Sequence, residues 1–127
     1  MVEALSEMPA GTIGFRIGGR VDAADYRDVL IPALREAVAS GELRAVFVVG
    51  PEYEGFDLGA LREDLKGAVP LAFEHRGAWK RLAAVTDIEW MGKAVDLFRW
   101  AMPGEVKVFP LADLEQAKAW VAGDGAA

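Results

Sequence analysis

Apolar and polar residues alternate from Thr12 to Ile17, so Ile13, Phe15 and Ile17 share one face of a half-buried strand that Gly18-Gly19 should end. Residues 2 to 8 precede it as a candidate antiparallel strand. Asp22 stands at an N-cap position, with a carboxylate for the free amides of the next turn. Beyond it Tyr26, Val29, Leu30, Ala33, Leu34, Ala37 and Val38 recur at helical spacing, and Ser40-Gly41 closes the helix. Pro32 interrupts that run and predicts a kink. Arg44 to Val49 is continuously apolar after its first residue, as expected of a strand buried on both faces. A loop over Gly50–Gly55 is expected next, then a helix capped by Asp57 with Leu58, Leu61 and Leu65 inward.

Arg81–Val85 reads as a further interior strand, with Thr86-Asp87 opening another helix. Glu105–Phe109 is the next strand, ended by Pro110. A last helix, from about Leu111 to Val121, should bury Leu114, Ala117 and Val121. Strands alternating with helices imply an α/β sheet covered by helices. With no internal repeat, low-complexity tract or linker, residues 1–127 read as a single domain whose tail loosens after about residue 122.

The helix after Asp87 departs from simple amphipathicity. At about 100° per residue, Ile88, Met91, Val95, Phe98 and Met102 form one stripe, opposite Glu89, Gly92, Asp96 and Arg99. Trp90 and Leu97 sit together on the flank, and Trp100 projects from the mostly polar side. A helix that only covers a sheet has no use for indoles there. Four covers would account for them: another part of the same chain, a partner subunit, an amphipathic ligand held against the Asp57 helix, or a membrane surface.

Composition narrows the choice. The formal charge of −6 argues against nucleic acid, whose binders carry excess Lys and Arg. It also opposes strong attraction to anionic lipid, although Arg76, Lys80, Arg81, Lys93 and Arg99 give this half of the chain a basic bias. There is no cysteine, which removes disulfides, thiolate metal sites and cysteine nucleophiles and fits a cytoplasmic protein. The acidic N-terminus does not resemble a secretory signal, and the longest strongly apolar stretch, Val46 to Val49, is far below the roughly 20 residues that cross a bilayer. Peripheral contact with a membrane stays open.

Catalytic chemistry finds little footing. His75 is the lone imidazole, and the serines a hydrolytic triad would need are Ser6 and Ser40, in the N-terminal segment and at a helix end. Glu52, Glu54 and Asp57 gather carboxylates without the spacing of a calcium loop, and read as a solvated acidic loop. Gly14, Gly18 and Gly19 do not form a dinucleotide motif, and no phosphate cradle follows any strand. No spacing selects a catalytic carboxylate pair, and Asp87 reads as the N-cap of the tryptophan-bearing helix.

Gly19-Arg20-Val21-Asp22-Ala23-Ala24-Asp25-Tyr26, the strand Arg44 to Val49, Ala83-Ala84-Val85-Thr86-Asp87-Ile88-Glu89-Trp90 and Pro103 to Pro110 with Glu115 to Trp120 resemble, in this order, the SpoIIAA-like proteins of the STAS fold group. The resemblance covers roughly residues 11 to 121. It implies a mixed four- or five-stranded sheet with about four helices, mostly packed on one side. The anti-sigma-factor antagonists of that group are switched by a phosphoserine opening the helix after the second interior strand. Here Gly55-Phe56-Asp57-Leu58-Gly59 holds no serine or threonine, so the switch is not carried over. Kinship to CRAL-TRIO lipid carriers is an analogy of fold only.

The expectation is therefore a non-enzymatic domain without cofactor or metal. It would bind a small amphipathic or lipid-like ligand between the Asp57–Gly67 and Asp87–Met102 helices. Trp90, Met91, Leu97 and Trp100 would give apolar contact, and His75, Lys80 or Lys93 would meet a carboxylate or phosphate head. Gly55, Gly67 and Gly77 are candidate hinges. The alternative is a regulatory interaction module, homodimeric or bound to a protein partner through the same aromatic flank.

Overall fold

The computed structural model describes residues 1–22, 24–56, 76–98 and 104–123. The helix expected from Asp57 to Gly67, together with His75, Trp100 and Met102, lies outside the described residues.

Five strands form one sheet in the order β1-β2-β3-β4-β5. They are β1 (Val2–Ala4), β2 (Ile13–Val21), β3 (Leu43–Phe56), β4 (Trp79–Thr86) and β5 (Glu105–Phe109). β1 runs antiparallel to β2, and the other pairs are parallel. The described α-helices are α1 (Ile31–Ala39), α2 (Glu89–Phe98) and α3 (Leu114–Ala122). The sheet is thus mixed, as the resemblance implies.

Alternation along the strands gives the sheet two apolar faces. Phe15, Ala45 and Leu82 pack with Leu30, Leu34 and Val38 of the α1 region. On the opposite face Val46, Val48, Ala83, Val85 and Phe109 pack with Ala117 and Val121 of α3. Leu5 and Met8 join this second cluster, lying so close over Gly14 that a Cβ there would meet each of them at 2.8 Å. α2 shares the face of α1, above Phe47, Ala84 and Val106.

β2 and β3 both run past their expected ends. β2 does not stop at Gly18-Gly19 but continues to Val21, and the segment expected as a loop over Gly50–Gly55 belongs to β3. Ile17 pairs with Val49, yet Gly19 pairs with Tyr53 and Arg20 with Gly55, so β3 carries extra residues that bulge out of the ladder. Gly19 takes the left-handed conformation at φ 58°, which side chains at that register step would resist.

The helical segment after Asp22 begins with a π-helical turn, Asp25–Leu30, that passes into α1. The irregularity falls just before Pro32, which has no N–H and crowds the carbonyl one turn back. Asp22 caps this segment as the sequence suggests. Its Oδ1 accepts from the Asp25 N–H, and Asp25 Oδ2 accepts from the Asp22 N–H, both at 3.0 Å. Burial acts to raise the Asp25 carboxyl, but the Asp22 N–H and the N-terminal ammonium outweigh it and leave it below its ordinary value. That contribution to stability is present above the unfolded-state pKa and fades as pH falls through the folded one. Asp22→Ala should lower the unfolding free energy by about 1 kcal/mol, seen as a lower urea midpoint at unchanged slope.

Asp87 does something other than expected. Its Oδ1 accepts from the Leu111 N–H at 3.0 Å, tying the start of α2 to the turn after β5. The Ile88 N–H at the entrance to α2 is taken instead by Thr86 Oγ1 at 3.1 Å.

Candidate functional site

The site is built around one row of side chains across the sheet. Phe15, Phe47, Ala84 and Val108 are register partners on neighbouring strands. The rings of Phe15 and Phe47 stack at 6.0 Å between centroids and 20° between planes. Beside Phe47 the row drops to the methyl group of Ala84 and rises again at Val108. α2 lies close to β5, the Cβ position at Gly92 standing 3.6 Å from Val108 Cγ1, an ordinary contact distance. The helix therefore rests on β5 and spans the low point of the row.

A cavity of about 400 Å³ occupies that low point. Its floor is Ile17, Phe47, Val49, Leu82, Ala84 and Val106. Its roof is Met91, Ala94 and Val95 on the inward stripe of α2, and Tyr53 stands where β3 continues past its bulge. Phe47, Ala84, Met91, Ala94 and Val95 are only half-buried, so the space opens to solvent. Burial raises the Tyr53 phenol above its ordinary pKa, leaving it a neutral phenol across the physiological range.

The sequence-predicted residues fall in different places. Met91 lines the cavity. Trp90 lies next to it, 60% exposed, with its ring 6.5 Å from that of Tyr53 and tilted by 40°. Leu97, 64% exposed, and Lys93 follow Trp90 along the outer flank of α2. Lys93 Nζ pairs with Glu89 Oε1 at 3.2 Å, an exposed one-turn contact of a few tenths of a kcal/mol. Lys80 is at the start of β4, the opposite end of the strands from Tyr53. His75 and Trp100 lie outside the described residues. Sequence reasoning missed Phe47, Tyr53, Ala84 and Ala94. Only Tyr53, an aromatic among acidic loop-like residues, carried a readable signal.

The other described tryptophans are structural. Trp79 packs against the α1-side core. Trp120 packs on Phe109 at 5.9 Å, and the Arg81 guanidinium lies 5.0 Å from its ring centroid. Among the described residues no group of three His, Cys, Asp or Glu is placed to hold a metal ion, and no helix is long and apolar enough to cross a membrane.

A mixed five-stranded sheet covered by helices on both faces defines an α/β domain, and its fold is of the SpoIIAA type. Residues 12–122 match the SpoIIAA-like family model, and the chain belongs to that family. It is similar to the crystal structure of an uncharacterised protein of the DUF3478 family with a SpoIIAA-like fold from Shewanella loihica PV-4. That similarity has a TM-score of 0.66 and 27% identity, covering 94% of this chain and 93% of the other. No curated protein matches the chain.

Proposed function

We propose that this SpoIIAA-like domain is a non-enzymatic binder of a small amphipathic or lipid-like ligand. The apolar part would lie in the cavity beneath α2 and the polar end at the rim marked by Trp90 and Tyr53. The observation that carries this reading is the cavity itself, about 400 Å³ and lined, among the described residues, by apolar side chains and one tyrosine. That volume lies within the range of small-molecule pockets. Sealed and empty, it would cost on the order of 10 kcal/mol at ~24 cal/mol per Å³, comparable to the whole stability of a domain. Water would fill it poorly, because apolar walls offer no hydrogen-bond partners. An apolar guest would release that water and gain dispersion contacts on every side. His75 and Lys93 are the candidates to meet a carboxylate or phosphate head, Lys80 lying at the far end of β4 from that rim, and Trp100 is a further candidate for apolar contact. Cytoplasmic residence and peripheral association with a membrane belong to the same proposal.

Native mass spectrometry of freshly purified protein tests it, together with titration of 1-anilinonaphthalene-8-sulfonate. A retained small-molecule adduct, or saturable dye fluorescence with about micromolar affinity, is the expected result. A chain with no adduct, no dye binding and no binding to phospholipid vesicles would discard it.

A second reading, a regulatory protein-interaction module, is favoured by the exposure of Trp90 and Leu97 on one helix flank. Aromatic anchors of that kind are enriched at the centres of interfaces. Under it, Leu97→Asp and Trp100→Ala should reduce self-association in sedimentation velocity without unfolding the chain. An unchanged oligomeric state would count against a homodimer.

A further inference from the structure

We propose that Ala84 and Ala94 are the specificity-determining residues of the cavity, setting the bulk of the apolar group it admits; this rests on the ligand-binding reading above. Ala84 lies in the interior strand β4, between Phe47 and Val108 in the same cross-sheet row. Interior strands favour β-branched and aromatic residues, and alanine is a poor strand former. Of the other β4 residues on this face, Leu82 and Thr86 are buried and Trp79 packs against the core, whereas Ala84 is only half-buried. The opening therefore stands over the smallest side chain that β4 presents on this face.

Ala94 repeats the arrangement from above. It is flanked on the inward stripe of α2 by Met91 and Val95, and all three line the cavity. Leucine and methionine propagate a helix nearly as well as alanine, so the backbone does not demand the small side chain. Nor is α2 lifted away from the sheet, since at Gly92 it lies within contact distance of Val108. The space exists because side-chain atoms are missing at these two positions, and larger residues there would occupy it.

The chemistry of the walls then states what fits: an uncharged apolar group, with any charge left at the rim.

The test uses Ala84→Leu, Ala94→Leu and the double variant. Ala84→Val and Ala94→Met serve as milder substitutions should leucine hinder folding, and Ala112→Leu is an exposed control away from the cavity. Dye binding is followed by competition with octanoate, dodecanoate and hexadecanoate, and folding by urea denaturation. The expected result is a urea midpoint equal to or above wild type, with affinity for the longer competitors weakened about tenfold or more and octanoate least affected. Ala112→Leu should bind as wild type does. If wild type binds and the alanine variants bind every competitor equally well, this inference falls while ligand binding stands. Equal weakening in Ala112→Leu would also overturn it. If wild type binds neither dye nor fatty acid, the proposed function falls, and this inference with it.

Discussion

Arg81→Met should lower the unfolding free energy by about 2 kcal/mol, a larger loss than any single ion pair on this surface could cause. Arg81 makes three interactions at once. Its Nη1 donates to the Trp120 carbonyl at 2.7 Å, its Nε pairs with Glu105 Oε2 at 2.9 Å, and its guanidinium lies over the Trp120 ring. They differ in weight. Glu105 is 69% exposed, so the ion pair is screened and contributes about 0–1 kcal/mol. The bond to the carbonyl is charge-assisted and comes from a side chain only 15% exposed, which places it at about 1.5–3 kcal/mol. Placed at the end of α3, it also complements the helix dipole.

Arg44 supports the same helix end, its Nη1 donating to the Val121 carbonyl at 2.9 Å. α3 has nine residues and would be marginal without such anchors. The expected pattern is a large loss for Arg81→Met, a smaller one for Arg44→Met, and a loss below about 1 kcal/mol for Glu105→Gln. Urea midpoints at a common slope decide it. Equal losses for Arg81→Met and Glu105→Gln would mean that the ion pair, and not the helix anchor, holds this corner.

Much of the fold was legible because the sheet repeats a simple rule. Ile13, Phe15 and Ile17 alternate, and the apolar run to Val49 is buried on both faces, so interior strands announced themselves. What failed was the reading of Gly18, Gly19, Gly50, Pro51 and Gly55 as ends and loops. Glycine and proline punctuate most chains, but they also mark bulges, where a missing N–H or a left-handed φ costs the ladder nothing. Pro51 falls between the Ile17–Val49 and Gly19–Tyr53 pairs, the stretch where β3 carries its extra residues. Asp87 misled for a similar reason. A capping residue is recognisable by type, whereas the bond it makes to Leu111, 24 residues away, is set by tertiary position.

The site was half legible. The misplaced apolar surface of Trp90 and Leu97 could be seen on a helical wheel, and both side chains are exposed. The cavity could not be seen. Ala84 lies in a run of apolar residues that reads as uniformly buried, and Ala94 adds little to any apolar stripe. A void is made by residues that are small where their neighbours are large, and only the distance from helix to sheet reveals it. Tyr53 reached the site through the unexpected extension of β3, so missing the bulge also meant missing the residue.

Phe47→Ala should destabilise the chain less than Leu43→Ala, although phenylalanine is the larger side chain. Both lie in β3. Leu43 has no exposed surface, so its loss leaves an enclosed hole and should cost about 3 kcal/mol. Phe47 is half-buried, resting on Phe15 on one side and facing the cavity on the other. Truncating it enlarges an existing opening and forfeits contacts on one side only. The cost should be about 1.5–2 kcal/mol, below the ~3–5 kcal/mol usual for an enclosed phenylalanine.

Saturating ligand should reverse the order. At about a hundredfold excess over Kd it stabilises a binding-competent chain by ~2.7 kcal/mol. Leu43→Ala keeps the cavity walls and should gain that full amount. Phe47→Ala has lost part of the floor and should gain much less. Chemical denaturation of the two variants with and without 1-anilinonaphthalene-8-sulfonate gives all four numbers. If Phe47→Ala alone costs as much as Leu43→Ala, the ring is enclosed in solution and the hollow beneath α2 is filled by the chain itself. That outcome would remove the physical basis for a ligand, because a filled core has no water to release and no contacts left to gain.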